Sequence, residues 1–257
     1  MPVYPGSRAR VSALGSTIAA GIAGIAVEPM PLPLSDSPPP LRRGAVLVAV
    51  GAAAVNYPDL LMANGGYQYS PPLPYTPGIE AAGIVIAVGP GVQEVAIGDL
   101  VMCTNTSGLM ASVVVIDAQS CTPLPSTFDF AAGAAFMVAA TTAYHCLVER
   151  GGLTAADSVL VNGATGGVGL AAVQVCKAVG CGMIIATGGS ATKLAVVAAH
   201  GATAVIDLSA DGALDALPST VKALSGVGVT VVHAFDVILP HFPHFPSLAS
   251  TTPSPVP

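Results

Sequence analysis

The feature that most constrains this chain is the apolar run Val159-Leu160-Val161-Asn162, which leads directly into Gly163-Ala164-Thr165-Gly166-Gly167-Val168-Gly169 and then into the apolar stretch 170–179. Glycine permits the positive φ angles of a tight turn, lets the backbone approach a pyrophosphate, and allows a helix to pack closely on the preceding strand. The N–H groups at the start of that helix attract an anion. A bare glycine motif is weak, whereas strand, motif and helix in succession form a specific signal for a dinucleotide. Gly163, Ala164, Thr165, Gly166, Gly167, Val168 and Gly169 are therefore the first candidate cofactor contacts, against the plainer alternative of a glycine turn with no ligand.

The segment that closes the next predicted strand is Ala186-Thr187-Gly188-Gly189-Ser190-Ala191-Thr192-Lys193. An acid there would accept a ribose 2′-hydroxyl and repel a 2′-phosphate. No acid is present, and Ser190 offers a hydrogen bond and Lys193 a charge to a phosphate. Gly189, Ser190 and Lys193 join the cofactor candidates, and NADPH is favoured over NADH. The alternative is a polar turn with one solvated lysine.

The first half is rich in Pro and Gly, and its β-branched runs at 45–50, 82–88, 100–103 and 112–116 predict short strands of an all-β module. From Phe128 the character changes. Ala-rich stretches at 129–150 and 168–179 predict helices, and 158–162, 183–186 and 204–206 predict buried strands. The succession is the βαβαβ half of a doubly wound parallel sheet, with 229–232 as a fourth strand. The predicted organisation is a first domain over 1–130, a second over 131–238, and a Pro-rich irregular tail over 239–257. In that tail Pro243 separates His241 from His244 and argues against a metal pair on a helix face.

Composition removes several function classes. Hydrophobic residues make up 53% and charged residues 9%, with mean hydropathy +0.73. Yet the charge-free windows carry Gly, Ser, Thr, Asn or His and lack the uniform apolarity of a membrane span. A net charge of −6 with 8 scattered basic residues gives no surface for nucleic acid. The 5 cysteines lack the close pairing of a zinc knuckle or a disulfide-rich domain, and read as small buried hydrophobes in a reducing compartment. Arg8 and Arg10 before the uncharged run 11–27 suggest a leader, but Gly15, Gly21 and Gly24 interrupt that run and no clear cleavage site follows. A cytoplasmic location is the expectation, with organelle targeting as the alternative.

The chain resembles the medium-chain dehydrogenase/reductase superfamily, and within it the zinc-free quinone oxidoreductases related to zeta-crystallin. The matching stretches are 48–59, from Val48 to the Asn56-Tyr57-Pro58-Asp59 end, Pro77-Gly78-Ile79-Glu80-Ala81-Ala82-Gly83, Val88-Gly89-Pro90-Gly91-Val92, Gly98-Asp99-Leu100-Val101, and 162–169. They occur in the family's order. The resemblance implies an α/β chain: a GroES-like, β-rich catalytic domain followed by an incomplete Rossmann doubly wound parallel sheet.

It further implies hydride transfer from NADPH to a small-molecule quinone or activated alkene. Zinc dehydrogenases of the superfamily supply a Cys and a His where this sequence has Asn56 and Ile79, so no metal is expected. The family positions carried over are Asn56 and Tyr67 as catalytic residues, with Asn56 and Thr142 also facing the nicotinamide. Asn56 can hydrogen-bond the nicotinamide end or the substrate carbonyl, Tyr67 offers an aromatic wall with a hydroxyl, and Thr142 stands at the start of a helical turn. Two relatives of this reading share the fold: an enoyl-thioester or alkenal reductase, and a dinucleotide-binding remnant without turnover.

The sequence also departs from the family. Leu208 stands where relatives often carry a Tyr beside the adenosine phosphate. The match decays at 233–236, so the expectation is a C-terminally truncated Rossmann unit in which strand 4 becomes an edge and the family's dimer edge is missing. The pyrophosphate site would survive that loss, while the nicotinamide pocket would be left incomplete.

Overall fold

The computed structural model describes residues 6–30, 40–226 and 229, together with the backbone of 231–234. The predicted tail 239–257, with His241 and His244, lies outside the described residues, as do 235–238. The chain divides into two units, Met1–Val138 and Ala139–Pro257.

The first unit opens with β1 (Ser7–Val11), α1 (Ile18–Ala23) and β2 (Ile25–Pro29), the two strands pairing antiparallel. The Thr17 side chain accepts the Ala20 N–H at 3.1 Å and so starts α1. The uncharged run that suggested a leader is thus built into the fold. Val11 is fully buried, and it exchanges both backbone hydrogen bonds with Tyr75, at 2.9 and 3.0 Å. No helix among the described residues is long and apolar enough to cross a membrane.

The main sheet of this unit contains β3 (Ala45–Ala53), β4 (Glu80–Val88), β5 (Leu100–Thr104), β6 (Val113–Asp117) and β7 (Cys121–Pro123). All pairings are antiparallel, in the order β6-β3-β4-β5-β7. Four of these strands fall on the predicted β-branched runs, extended by a few residues at their ends. Their inward side chains, among them Val46, Val48, Val85, Val101 and Ile116, form one core. Between β3 and β4 lies α2 (Tyr57–Ala63), a helix the apolar periodicity does not announce.

The single helix predicted over 129–150 is instead α3 (Phe130–Ala134), α4 (Met137–Tyr144) and a π-helical stretch, His145–Arg150. Asp129 caps α3 by accepting the Ala132 N–H at 2.7 Å. The break after α3 has a tertiary cause. The Glu80 carboxylate accepts the Val138 N–H at 2.9 Å, satisfying a first-turn donor and starting a new helix. Helix α3 packs on the sheet because Gly51 makes room: a Cβ there would lie 2.3 Å from the Phe130 ring.

The second unit alternates β8 (Ser158–Asn162), α5 (Gly167–Val179), β9 (Met183–Gly188), α6 (Ala191–His200), β10 (Ala204–Asp207), α7 (Leu217–Ser225) and β11 (Val231–Ala234). The four strands are parallel in the order β10-β9-β8-β11. This is the 3-2-1-4 arrangement of a doubly wound sheet, with β11 two residues later than its predicted place. Period-two alternation accounts for both covered faces. Val159, Val161 and Ile184 pack with Val173 and Cys176 of α5. Leu160 and Ile185 pack with Leu217 and Val221 of α7. Each such buried Leu or Ile contributes about 1.5–3 kcal/mol relative to exposure.

Candidate functional site

The glycine turn joins the carboxyl end of β8, an inner strand of its four-stranded sheet, to α5. Gly163 has φ +70°, in the left-handed region that favours glycine. Its carbonyl accepts the Gly166 N–H at 3.1 Å, closing the turn. Gly169 is needed for approach rather than for φ, since a Cβ there would lie 2.3 Å from the Gly163 carbonyl oxygen. Gly167 is different: a Cβ would meet nothing within 4 Å, and at Gly166 the nearest atom would be 3.6 Å away. Both are exposed.

The helical ladder of α5 begins with Leu170 N–H to Gly166 O at 2.9 Å. The N–H groups of Gly167, Val168 and Gly169 therefore lack an intrahelical acceptor and lie at the positive end of a 13-residue helix. Ala164 contributes otherwise than as an anion donor. Its N–H is bound to Thr187 O at 2.9 Å and its side chain is buried in the core. Thr165 is half-buried and rests on the end of β9, where a Cβ at Gly188 would come within 2.4 Å of its methyl group.

Beneath the turn, buried Asn162 and Thr187 join the ends of β8 and β9, Thr187 Oγ1 donating to Asn162 Oδ1. Beyond β9, Gly189 is exposed and Ser190 is the N-cap residue of α6, with no side-chain capping bond. Lys193 is exposed in the first turn of that helix, where the macrodipole disfavours a cation and a neighbouring anion would reverse the balance. Leu208 packs partly buried against the Leu160–Ile185 face.

In the first unit, Asn56 caps α2, and its Nδ2 donates to Glu80 Oε1 at 2.8 Å. Asp59 accepts the Asn56 N–H at 2.9 Å on one oxygen and the Gly78 N–H at 2.9 Å on the other. Asp59 and Glu80 are 2% and 1% exposed, so both carboxyls lie within the fold. Burial pushes each above the ordinary carboxylate range, against the downward pull of the hydrogen bonds they accept, and the Asp59 charge adds to the rise at Glu80. Tyr67 is partly buried against the cluster of Val11, Met62, Ala63 and Tyr75. Burial also raises Tyr75, with a smaller push from Asp59.

Thr142 is exposed and is the sixth residue of the eight-residue α4, not at the start of a helical turn. Thr142 and the glycine turn belong to the second unit, Asn56 and Tyr67 to the first. Sequence reasoning missed Asp59 and Glu80 as residues that organise Asn56. Their signals were present: Asp59 is the third helical residue after a capping Asn, and Glu80 is an acid opening an apolar strand.

Two family models match the chain. The alcohol dehydrogenase GroES-like domain covers residues 42–126, and a model described as zinc-binding dehydrogenase covers 167–239. The synaptic vesicle membrane protein VAT-1 homolog of Rattus norvegicus is 38% identical over 195 residues, 76% of this chain and 47% of the relative. The quinone oxidoreductase of Lama guanicoe is 39% identical over 188 residues, 73% of this chain and 56% of that one. The chain thus spans about half the length of the curated relatives it matches. The crystal structure of Escherichia coli quinone oxidoreductase complexed with NADPH superposes with TM-score 0.73 and 29% identity, covering 88% of this chain and 65% of the other.

The zinc in one model's description does not fit the residues present. Among the described residues no group of three or more His, Cys, Asp or Glu could hold a metal ion. The Asn56 amide is engaged by Glu80, and Ile79 has no donor atom. The two family models and the likeness to the quinone oxidoreductases together carry the assignment: the chain belongs to the zinc-free quinone oxidoreductase family of the medium-chain dehydrogenase/reductase superfamily.

Proposed function

We propose that this chain binds NADPH on the turn 163–169 and serves hydride transfer to a quinone or activated alkene without a metal. The observation that carries the proposal is the set of N–H groups on Gly167, Val168 and Gly169, beside two exposed glycines, Gly166 and Gly167, at neither of which a Cβ would meet an atom closer than 3.6 Å. These groups suit a pyrophosphate. Ser190 and Lys193 suit a 2′-phosphate, and a phosphate there offsets the unfavourable place of Lys193 on the α6 dipole. When bound, the nicotinamide supplies the hydride.

In this reading residues 1–130 form the GroES-like catalytic domain and 131–238 the NADP-binding domain. Asn56, with one amide hydrogen held by Glu80, has its other amide hydrogen to orient a carboxamide or a substrate carbonyl. Tyr67 provides a wall and a hydroxyl, and Thr142 a polar contact at the nicotinamide end. The protein's role is to orient the reactants and exclude water.

The test is NADPH consumption by the purified chain with 1,4-benzoquinone, with a crotonyl thioester alongside and Gly166→Asp as control. The expected result is quinone-dependent oxidation that the control lacks. Faster turnover of the thioester moves the assignment to an enoyl-thioester reductase. Thermal stabilisation by NADPH with no turnover of either substrate identifies a binding module.

A further inference from the structure

We propose that Cys103 and Cys121 form a two-electron oxidation site that takes a hydroperoxide and closes to a cross-strand disulfide. Their Sγ atoms are 3.8 Å apart, and the two residues face each other in the antiparallel register of β5 and β7. The hydrogen-bond pattern fixes the kind of pair they form. Leu124 N–H donates to Leu100 O at 2.9 Å, so that pair is hydrogen-bonded, and alternation makes both Val101–Pro123 and Cys103–Cys121 non-hydrogen-bonded pairs. Pro123, which has no N–H to give, fits this phase. At such a pair the Cα atoms lie about 4.5 Å apart, within the span of about 4.4–6.8 Å that a disulfide requires.

The two thiols differ in a way that assigns their roles. Cys121 is half-buried, whereas Cys103 is buried. A hydrogen bond from the Cys103 thiol holds Cys121 below the ordinary cysteine range; the same bond and then burial push Cys103 up. The Cys121 thiolate attacks the hydroperoxide, the O–O bond breaks, and the departing oxygen takes a proton and leaves as an alcohol, or as water from hydrogen peroxide. Cys121 becomes a sulfenic acid. The Cys103 sulfur then attacks the Cys121 sulfur, the S–O bond breaks, and water leaves with the Cys103 proton. Two thiols have lost two electrons and the peroxide has gained them.

The experiment treats the full chain with hydrogen peroxide, blocks remaining thiols with iodoacetamide, and maps the unreduced digest by mass spectrometry. The expected result is a peptide pair joined through Cys103 and Cys121, lighter by two hydrogens and separated by dithiothreitol, with alkylatable thiols falling from the five free cysteines to three. In Cys103→Ser the sulfenic acid on Cys121 has no resolving thiol and is captured by dimedone. Full alkylation of both residues after peroxide, over-oxidation of Cys121 without a cross-link, or linkage of either one to another cysteine would overturn the proposal. The result is independent of NADPH turnover.

Discussion

Asn56 donates a hydrogen bond from Nδ2 to Oε1 of Glu80 at 2.8 Å, joining the N-cap of α2 to the first residue of β4. The other Glu80 oxygen accepts the Val138 N–H and starts α4. One buried carboxylate therefore fixes both the amide of Asn56 and a helix origin. Asn56→Leu removes a donor from that carboxylate, and a loss of about 1–3 kcal/mol of stability is expected in a denaturant titration. Asn56→Asp places a second carboxylate against Glu80 and should cost more. An unchanged midpoint for both variants would show that the bond is not made.

The raised Glu80 gives a pH signature. Its folded-state proton affinity exceeds that of the unfolded chain, so the folded state holds the proton where the unfolded state has released it. Stability from this group is greatest below the ordinary carboxylate value of about 4.3 and falls as pH rises through the raised folded value. Glu80→Gln removes this titration. Unfolding free energies measured for both proteins across mildly acidic pH should show wild type losing ground to the variant as pH increases. A difference that stays flat, or that grows in favour of wild type, would contradict the raised assignment.

Thr187 and Asn162 make the corresponding test under the glycine turn. Thr187→Val keeps the shape and leaves Asn162 Oδ1 without its hydroxyl donor in a buried place. The expected cost is about 1–3 kcal/mol, read as a lower thermal midpoint. A midpoint equal to wild type would mean that the pair is not formed in solution.

The glycines of the turn should separate folding from binding. Gly169→Ala drives a methyl group against the Gly163 carbonyl and should lower the unfolding midpoint. Gly167→Ala meets open space and replaces glycine in a helix, so stability should hold or rise slightly while NADPH affinity falls. Parallel thermal melts and NADPH titrations check this. Equal affinity in Gly167→Ala and wild type would remove Gly167 from the site.

Much of this was legible in the sequence where one local rule sufficed. The run 158–162 and the glycines after it declared strand, turn and helix together, and the continuous apolar runs 159–161 and 184–186 are buried throughout, as a parallel strand covered on both faces requires. Where tertiary contacts decide, the reading failed. The uncharged run 11–27 joins the fold through backbone bonds between Val11 and Tyr75 that no local pattern encodes. The helix predicted over 129–150 is divided by a carboxylate 58 residues away from Val138 in sequence. Ala164 was chosen by motif, but its N–H turns to Thr187 O because β9 lies beside the turn. At Asn56 the sequence shows the amide but not its partner, Glu80, which lies 24 residues further along the chain and holds one of its hydrogens.

The most direct measurement is an NADPH titration, followed by calorimetry, of the full chain against Gly166→Asp, whose side chain would place a carboxylate beside the N–H groups of Gly167, Val168 and Gly169. Saturable binding to wild type, its loss in the variant, and similar melting of the two unliganded proteins are expected, since a Cβ at Gly166 has its nearest neighbour at 3.6 Å. Equal NADPH affinity in both proteins, or no binding to wild type, would contradict NADPH binding on the turn 163–169.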